Sequence, residues 1–261
     1  MTENNFVKTH QPCPCGKSSD AYAVRVDGSG YCFGQCGGKN YFPVDFFEHI
    51  RQCKERAYQS RGVKAEVGSR LKFSELYDDK GIVQFFKFYY PNGTVKFRRA
   101  LDKTQQKLLT LDLKEPKKEG IPVCHLGGIG LYDSGSSKTC VLVEGEPDAA
   151  AAYQMLNEGM ANETPVYWLP GASIPRDANA RKEINDELSK YDRVVVATEN
   201  DEAAKKSKEV LSQLTGLRGK LRVATLNKFH DANDYLVNGA TKEFKRAVTN
   251  YSHYTPEFIY N

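Results

Sequence analysis

The 261-residue sequence has no run approaching the ~18 to 20 consecutive apolar residues that a membrane-spanning helix requires. Its opening, MTENNFVKTHQPC, lacks the basic and then apolar order of a secretory signal. Together these absences point to a soluble, intracellular protein with no membrane partner. No internal repeat or low-complexity tract is present. With 40% hydrophobic residues the chain can fill a core, so a wholly disordered chain is excluded. The segment GLYDSGSSKT, Gly130 to Thr139, has the outline of a phosphate-binding loop, but Ser137 stands where its second glycine must be. No motor sequence follows it before Asn261, so any helicase is expected to be a separate protein.

The net charge of +4 conceals an uneven distribution. Residues 1–140 hold 22 Lys and Arg against 15 Asp and Glu, net +7; the remainder hold 15 against 18, net −3. A basic front suits a polyanion, and an acidic back reserves its carboxylates for another task. Because most such imbalances are solvated surface, the distribution only orients the search.

Seven cysteines are present, Cys13, Cys15, Cys32, Cys36, Cys53, Cys124 and Cys140, and the first four fall within 24 residues. An odd count, crowded in this way and without a secretory signal, favours metal binding over disulfides. Tyr22 to Phe33 reads as two short strands around a turn at Asp27–Gly30, with one cysteine pair on each side. That is the organisation of a zinc ribbon, in which two turns bring four thiolates to one tetrahedral ion. The pairs are separated by one and three residues rather than the usual two, with Gly16, Gly34, Gly37 and Gly38 relaxing the turns. His10 is a substitute ligand to consider, while Cys53, Cys124 and Cys140 have no partner at ligand spacing and read as packing residues.

Val44 to Tyr58 carries Val44, Phe47 and Ile50 at helical spacing, and a charged, apolar-poor stretch to Arg70 reads as a linker. Between Ile82 and Phe97, aromatic and β-branched residues on either side of Pro91-Asn92-Gly93 predict a hairpin. From Gly81 to Leu108 six basic residues, Lys87, Lys96, Arg98, Arg99, Lys103 and Lys107, face one acid, Asp102. Such interleaving suits a nucleic-acid backbone or nucleotide phosphates, or equally an edge sheet with a solvated lysine face. After Thr139, continuous apolar strands alternate with helices, which implies a mainly parallel sheet covered on both faces.

Ligand sites in such sheets lie at the carboxyl ends of the strands. Here CVLV ends in Glu144-Gly145-Glu146 with Asp148 opening the next helix, VVVAT ends in Glu199-Asn200-Asp201, and the last strand leads to Asp231-Ala232-Asn233-Asp234. Any one acid at a helix start is by default a cap. Acids at three strand ends repel one another and call for a cation, with Mg²⁺ or Mn²⁺ the natural choice for hard oxygen ligands and phosphates.

VLVEGEPDAAAAY, VVVATENDEAAK and HDANDYL, in that order, resemble a toprim domain, the metal-binding fold of primases, topoisomerases and some nucleases. HQPCPCGKSSDAYAV with YCFGQCGG is similar to the template-reading ribbon of phage DNA primases, especially the primase half of short-tailed-phage primase-helicases. The resemblance implies an α/β chain: an N-terminal zinc ribbon of small β type, then a primase core with a basic antiparallel β subdomain and a toprim parallel-sheet domain. The expected boundaries are 1–53 for the ribbon and following helix, 54–70 linker, 71–138 basic subdomain, 139–250 toprim and 251–261 an aromatic tail. It places the family's catalytic acids on Glu144, Asp148, Glu199, Asp201 and Asp231, the first four also holding magnesium, and zinc on Cys13, Cys15, Cys32 and Cys36. Glu199 departs from the usual Asp, and His230 stands where the family commonly has Lys. Lys87, Lys96, Arg98 and Arg99 become candidate contacts to template or nucleotide.

The function implied is a stand-alone primase making short RNA primers from NTPs on single-stranded DNA, with structural Zn²⁺, catalytic Mg²⁺ or Mn²⁺, and a separate replicative helicase as partner. For a phage-encoded chain the location is the bacterial cytoplasm. A toprim nuclease and a non-catalytic zinc-ribbon DNA-binding adaptor are the alternatives; a topoisomerase is disfavoured, since none of the 15 tyrosines stands out as a nucleophile.

Overall fold

The computed structural model describes residues 6–12, 19, 21–25, 30–32, 40–41, 50–91, 93, 95–100, 110–113, 126–133, 137–169, 174, 177–199 and 201–255. The chain divides into two compact units, residues 1–55 with 76–84 and residues 56–75 with 85–261. In the first, β1 (Phe6–Gln11), β2 (Tyr22–Arg25), β3 (Gly30–Cys32) and β4 (Asn40–Tyr41) form an antiparallel sheet in that order. The expected hairpin is present as β2 and β3, paired Tyr22 to Cys32 and Val24 to Gly30. Cys13, Cys15 and Cys36, and the side chain of Cys32, lie outside the described residues.

Residues 54–70, expected as the end of a helix and a linker, are regular structure instead. They carry β5 (Lys54–Ala57) and most of α1 (Ala65–Leu71), and helical residues stop at Gln52, where the Cys53 amide donates back to the Ile50 carbonyl at 3.2 Å. Tyr58 and Val63 are buried, and the Tyr58 amide donates to the Phe73 carbonyl at 2.9 Å. The charges that made the stretch read as solvated are paired at long range: Arg56 with Glu75, Lys64 with Glu158, and Arg70 with Glu163.

Then follow β6 (Phe73–Tyr77), β7 (Val83–Tyr89), β8 (Val95–Arg99) and β9 (Thr110–Leu113), in a five-stranded sheet ordered β5-β6-β7-β8-β9. The register of β7 on β8 pairs Phe85 with Arg99, Phe86 with Arg98, Lys87 with Phe97 and Phe88 with Lys96. One face of this hairpin therefore carries Phe86, Phe88, Lys96 and Arg98, and the other carries Phe85, Lys87, Phe97 and Arg99. On the first face, Tyr58, Phe73 and Phe88 pack edge to face or tilted, and Phe73 meets Trp168 with centroids 5.1 Å apart.

The remaining strands are β10 (Thr139–Glu144), β11 (Val166–Leu169), β12 (Arg193–Val196), β13 (Leu221–Val223) and β14 (Ser252–His253). Their order is β11-β10-β12-β13-β14, with the first four parallel and β14 antiparallel at the edge. Between them run α2 (Glu146–Asn157), α3 (Ala178–Leu188), α4 (Glu202–Gln213), α5 (Ala232–Val237) and α6 (Thr241–Thr249). This is the alternation the sequence predicts. Cys140 to Val143 are fully buried because the strand is covered on both faces, and Ala149 to Ala152 present four methyl groups that let α2 lie close.

Beyond β11 the sheet edge is closed by a single bridge: the Gly127 amide donates to the Trp168 carbonyl at 2.8 Å and the Trp168 amide returns a bond to Gly127 at 3.2 Å. A Cβ at Gly127 would fall 1.9 Å from the Trp168 ring, so only glycine admits this approach. Among the described residues no helix is long and apolar enough to cross a membrane. Cys140 is a core residue whose thiol is pushed well up by burial, as a packing role requires; Cys124 lies outside the described residues.

Candidate active site

Three neighbouring strands, β10, β12 and β13, end on the same side of the sheet, and each hands the chain to an acidic turn. β10 finishes at Glu144, and Gly145, with φ at 82°, turns it into α2, where Asp148 stands on the first turn. A positive φ at this step is open to glycine at little cost and to other residues only with strain. After β12 the Ala197 amide donates to the Leu142 carbonyl at 2.8 Å, which keeps Thr198 and Glu199 against β10 before Asp201 caps α4. After β13 the Ala224 amide donates to Val196 at 3.0 Å, and the loop reaches Asp231, the cap of α5.

The capping reading holds for two of the five acids. Asp201 accepts from the Ala204 amide and Asp231 from the Asp234 amide, each at 2.7 Å. Each cap engages one named carboxylate oxygen, Oδ1. Asp148 Oδ1 accepts from the Asn233 amide at 3.1 Å, which ties α2 to the start of α5.

The five carboxylates nonetheless behave as one electrostatic group. Glu144 is raised above the usual carboxylate range by burial and then by Glu199, Asp201 and Asp231. Asp148 is pushed well up by burial and by Asp231, with the Asn233 amide pulling the other way. Glu199 is raised by burial, Asp231 and Asp201, and eased by His230. Ionising Glu144, Asp148 or Glu199 is thus opposed by neighbouring carboxylates, as a site built to share a cation requires. Among the described residues no three His, Cys, Asp or Glu side chains meet in a ready-made metal cage. The donor set, carboxylate oxygens alone, fits a hard divalent cation.

Beside this group stands the inner face of β8. Arg98, half-buried, is lowered by burial and by the nearby Arg61, and raised in part by Glu146, Tyr58 and Asp148. Lys96, a sequence candidate for template or nucleotide contact, lies on the same face of β8. It is buried, and its ammonium pairs with Glu146 at 2.9 Å. Glu146 Oε1 also accepts from the Tyr90 hydroxyl, which in turn accepts from Trp168 Nε1 at 3.3 Å. Lys87 sits on the opposite face of the sheet from Lys96 and Arg98. The Lys87 ammonium lies 4.6 Å from the Tyr89 ring centre; the Arg99 side chain lies outside the described residues.

Sequence reasoning missed Glu146, Asn233 and Arg61. Glu146 sits between two candidates in Glu144-Gly145-Glu146-Pro147-Asp148, yet the turn at Gly145 sends it to the sheet rather than to the acids. The turn at Arg61, with φ at 57°, and Gly62, with φ at 79°, is pinned from three sides. Gln154 Nε2 donates to the Gly62 carbonyl at 3.1 Å, the Lys64 amide donates to Gln154 Oε1 at 2.6 Å, and Asn233 Nδ2 donates to the Arg61 carbonyl at 3.4 Å. Arg-Gly is an ordinary turn signal and carries no sign of these partners.

Residues 139–227 match the Toprim domain family. No curated protein matches the chain. The fold is similar to the primase fragment of the bacteriophage T7 primase-helicase protein, with TM-score 0.56 and 22% identity over 92% of this chain and 98% of that one. It is also similar to the Aquifex aeolicus primase, zinc binding and RNA polymerase domains, at TM-score 0.53 and 14% identity over 94% of this chain and 79% of the other. A DnaG primase catalytic domain bound to single-stranded DNA gives TM-score 0.53 and 14% identity over 81% and 73%. The architecture expected from sequence, a primase core with an antiparallel β subdomain and a toprim sheet, is the one observed.

Proposed function

We propose that the chain is a DNA primase, a nucleotidyltransferase that builds short RNA primers on single-stranded DNA from nucleoside triphosphates. One observation carries this reading: five carboxylates, electrostatically coupled, occupy the ends of three adjacent strands in a fold shared with primase cores. Asp148, Glu199 and Asp201 are the oxygen donors that would hold Mg²⁺ or Mn²⁺, with Asp231 in support. When bound there, the ion supplies charge neutralisation at the reacting phosphate.

Glu144 is assigned to accept the proton of the primer 3′-hydroxyl. Its carboxyl is half-buried and raised above the ordinary carboxylate range by burial and the neighbouring acids, which makes it a stronger base than a solvated glutamate. Arg98, on the strand face nearest the acids, is assigned to the triphosphate charge. Lys96 is assigned to hold the α2 start against β8 and not to touch substrate. Cys13, Cys15, Cys32 and Cys36 are assigned to one structural Zn²⁺ in a ribbon that reads the template, and a separate helicase is the expected partner.

Incorporation of labelled NTPs on single-stranded DNA with Mg²⁺ or Mn²⁺ tests the reading. Glu144→Gln should lower incorporation by roughly 10²–10⁴-fold while template affinity stays at the wild-type level. Wild-type synthesis by that variant would return the acids to the role of caps. Cleavage of DNA without any NTP incorporation would assign the site to a nuclease.

A further inference from the structure

A ring of hydrogen bonds closes around the turn that separates Glu144 from Asp148. β10 and β11 stay paired to their last residues, Glu144 beside Leu169, and the Gly145 amide then donates to the Leu169 carbonyl at 3.0 Å. The neighbouring residue on each side completes the circuit. Trp168 Nε1 donates to the Tyr90 hydroxyl at 3.3 Å, and that hydroxyl donates to Glu146 Oε1. Gly145, Leu169, Trp168, Tyr90 and Glu146 are thus joined in a closed loop. Lys96 braces it from β8 through Glu146, and Gly127 braces it from beyond β11 through its two bonds to the Trp168 backbone.

Tyr90, Glu146 and Trp168 are all buried, and a buried polar network that is satisfied holds one conformation. The Tyr90 hydroxyl gives its one proton to Glu146 and offers a lone pair to the indole N–H, so it alone connects the two. Its ring already meets the Trp168 ring, with centroids 6.2 Å apart, and phenylalanine would serve that packing as well. What the loop encloses is Gly145 at φ 82°, with Glu144 ending β10 on one side and Asp148 on the first turn of α2 on the other. Glycine has wide backbone freedom, so a fixed placement of the two acids needs an outside constraint.

Resting on the metal-dependent reading above, we infer that Tyr90 is a positioning residue of the acid site. Through Glu146 and Trp168 its hydroxyl fixes the Gly145 turn, and with it where Asp148 stands relative to Glu144 and the other acids. It touches neither cation nor substrate.

The test is Mn²⁺ binding by the full chain without nucleotide, followed through the electron paramagnetic resonance signal of free Mn²⁺ at a temperature where the variants are folded. Tyr90→Phe should weaken binding about tenfold, the low end of the roughly 10- to 100-fold cost of losing a group that orients a metal ligand. Tyr132→Phe is the control: it deletes a buried hydroxyl bonded to the Val166 carbonyl of the same strand β11 at 3.0 Å, outside the loop, and should bind as the wild type does. Trp168→Phe opens the loop from its other side and should also weaken binding. The double variant should lose no more than the larger single loss, because a second cut in an open loop releases nothing further. A folded Tyr90→Phe protein with unchanged or tighter Mn²⁺ binding overturns the inference, as do losses that add or an equal loss in Tyr132→Phe. In each case the primase reading stands if Asp148→Asn weakens binding and falls with the inference if it does not. Absence of Mn²⁺ binding by the wild type sinks both. Should Tyr90→Phe not fold, Trp168→Phe against Tyr132→Phe decides, and loss of the fold in both loop variants makes the loop purely structural and overturns the inference.

Discussion

Replacing Lys96 with Met separates a structural lysine from a DNA-binding one. Lys96 and Glu146 are 4% and 2% exposed, with 2.9 Å between charged atoms. Removing the ammonium leaves a buried carboxylate whose other hydrogen-bond partner among the described residues is the Tyr90 hydroxyl. Breaking a buried pair from one side costs about 3–5 kcal/mol. In a compact unit of roughly 200 residues each kcal/mol moves the melting temperature by about 2–4 °C, so the expected fall is roughly 6–20 °C. Glu146→Gln in the same chain removes the stranded charge and keeps an acceptor for Tyr90, so the double variant should regain most of the loss. Thermal melts of the two single variants and the double variant measure the coupling directly. Single-stranded DNA affinity, taken against salt at a temperature where all are folded, should have the wild-type slope for Lys96→Met. Arg98→Ala removes the guanidinium assigned to the triphosphate, so it should weaken NTP binding and leave that slope at the wild-type value. A Lys96→Met protein with wild-type melting and a flattened slope would refute the buried-pair account.

The raised carboxyls make stability depend on pH in a definite direction. Glu144, Asp148 and Glu199 hold protons in the folded chain at pH values where the unfolded chain has released them, so their contribution is fully present below the ordinary carboxylate range and is lost as pH rises through the raised values. Asp148→Asn should therefore raise the melting temperature of cation-free protein at pH 7.5, with the gain vanishing near pH 4, while NTP incorporation is lost; an unchanged pH profile contradicts the assigned shifts. Gly127→Ala should destabilise by about 1–3 kcal/mol through overpacking against Trp168, visible in a urea melt and in the single tryptophan's fluorescence, and a neutral result would mean that the edge bridge yields freely. Elemental analysis of protein purified without added metal should return about one zinc per chain, and Cys36→Ser should abolish it; four freely titratable thiols and no zinc would remove the ribbon.

The toprim half was legible because its signals are local. Runs such as Val194-Val195-Val196 read as buried parallel strands on sight, and acids directly after them fall at strand ends by construction. The Lys96 ion pair was not legible because a lysine alternating with aromatics has the local pattern of a solvated face, while the carboxylate it pairs with lies 50 residues away. Residues 54–70 failed for the same reason: Arg56, Lys64 and Arg70 look like solvent-facing charges until Glu75, Glu158 and Glu163 are set beside them. Periodicity reports which face a side chain takes, and it has no access to an ion pair closed by tertiary contact.

The clamp on the Arg61–Gly62 turn also bears on how the chain is made. A ribosome releases the N-terminal end first, yet the bonds that fix this turn come from Gln154, 92 residues later, and Asn233, 172 residues later. At roughly 5–20 residues per second the turn waits about 9–34 s between its own synthesis and that of Asn233. For the first 107 residues of that interval, roughly 5–21 s, the aromatic side chains of Tyr58, Phe73 and Phe88 have each other for cover but not Trp168. The nascent chain thus carries an aromatic cluster without its Trp168 cover until that strand is made, while the turn beside it stays unclamped until Asn233 appears.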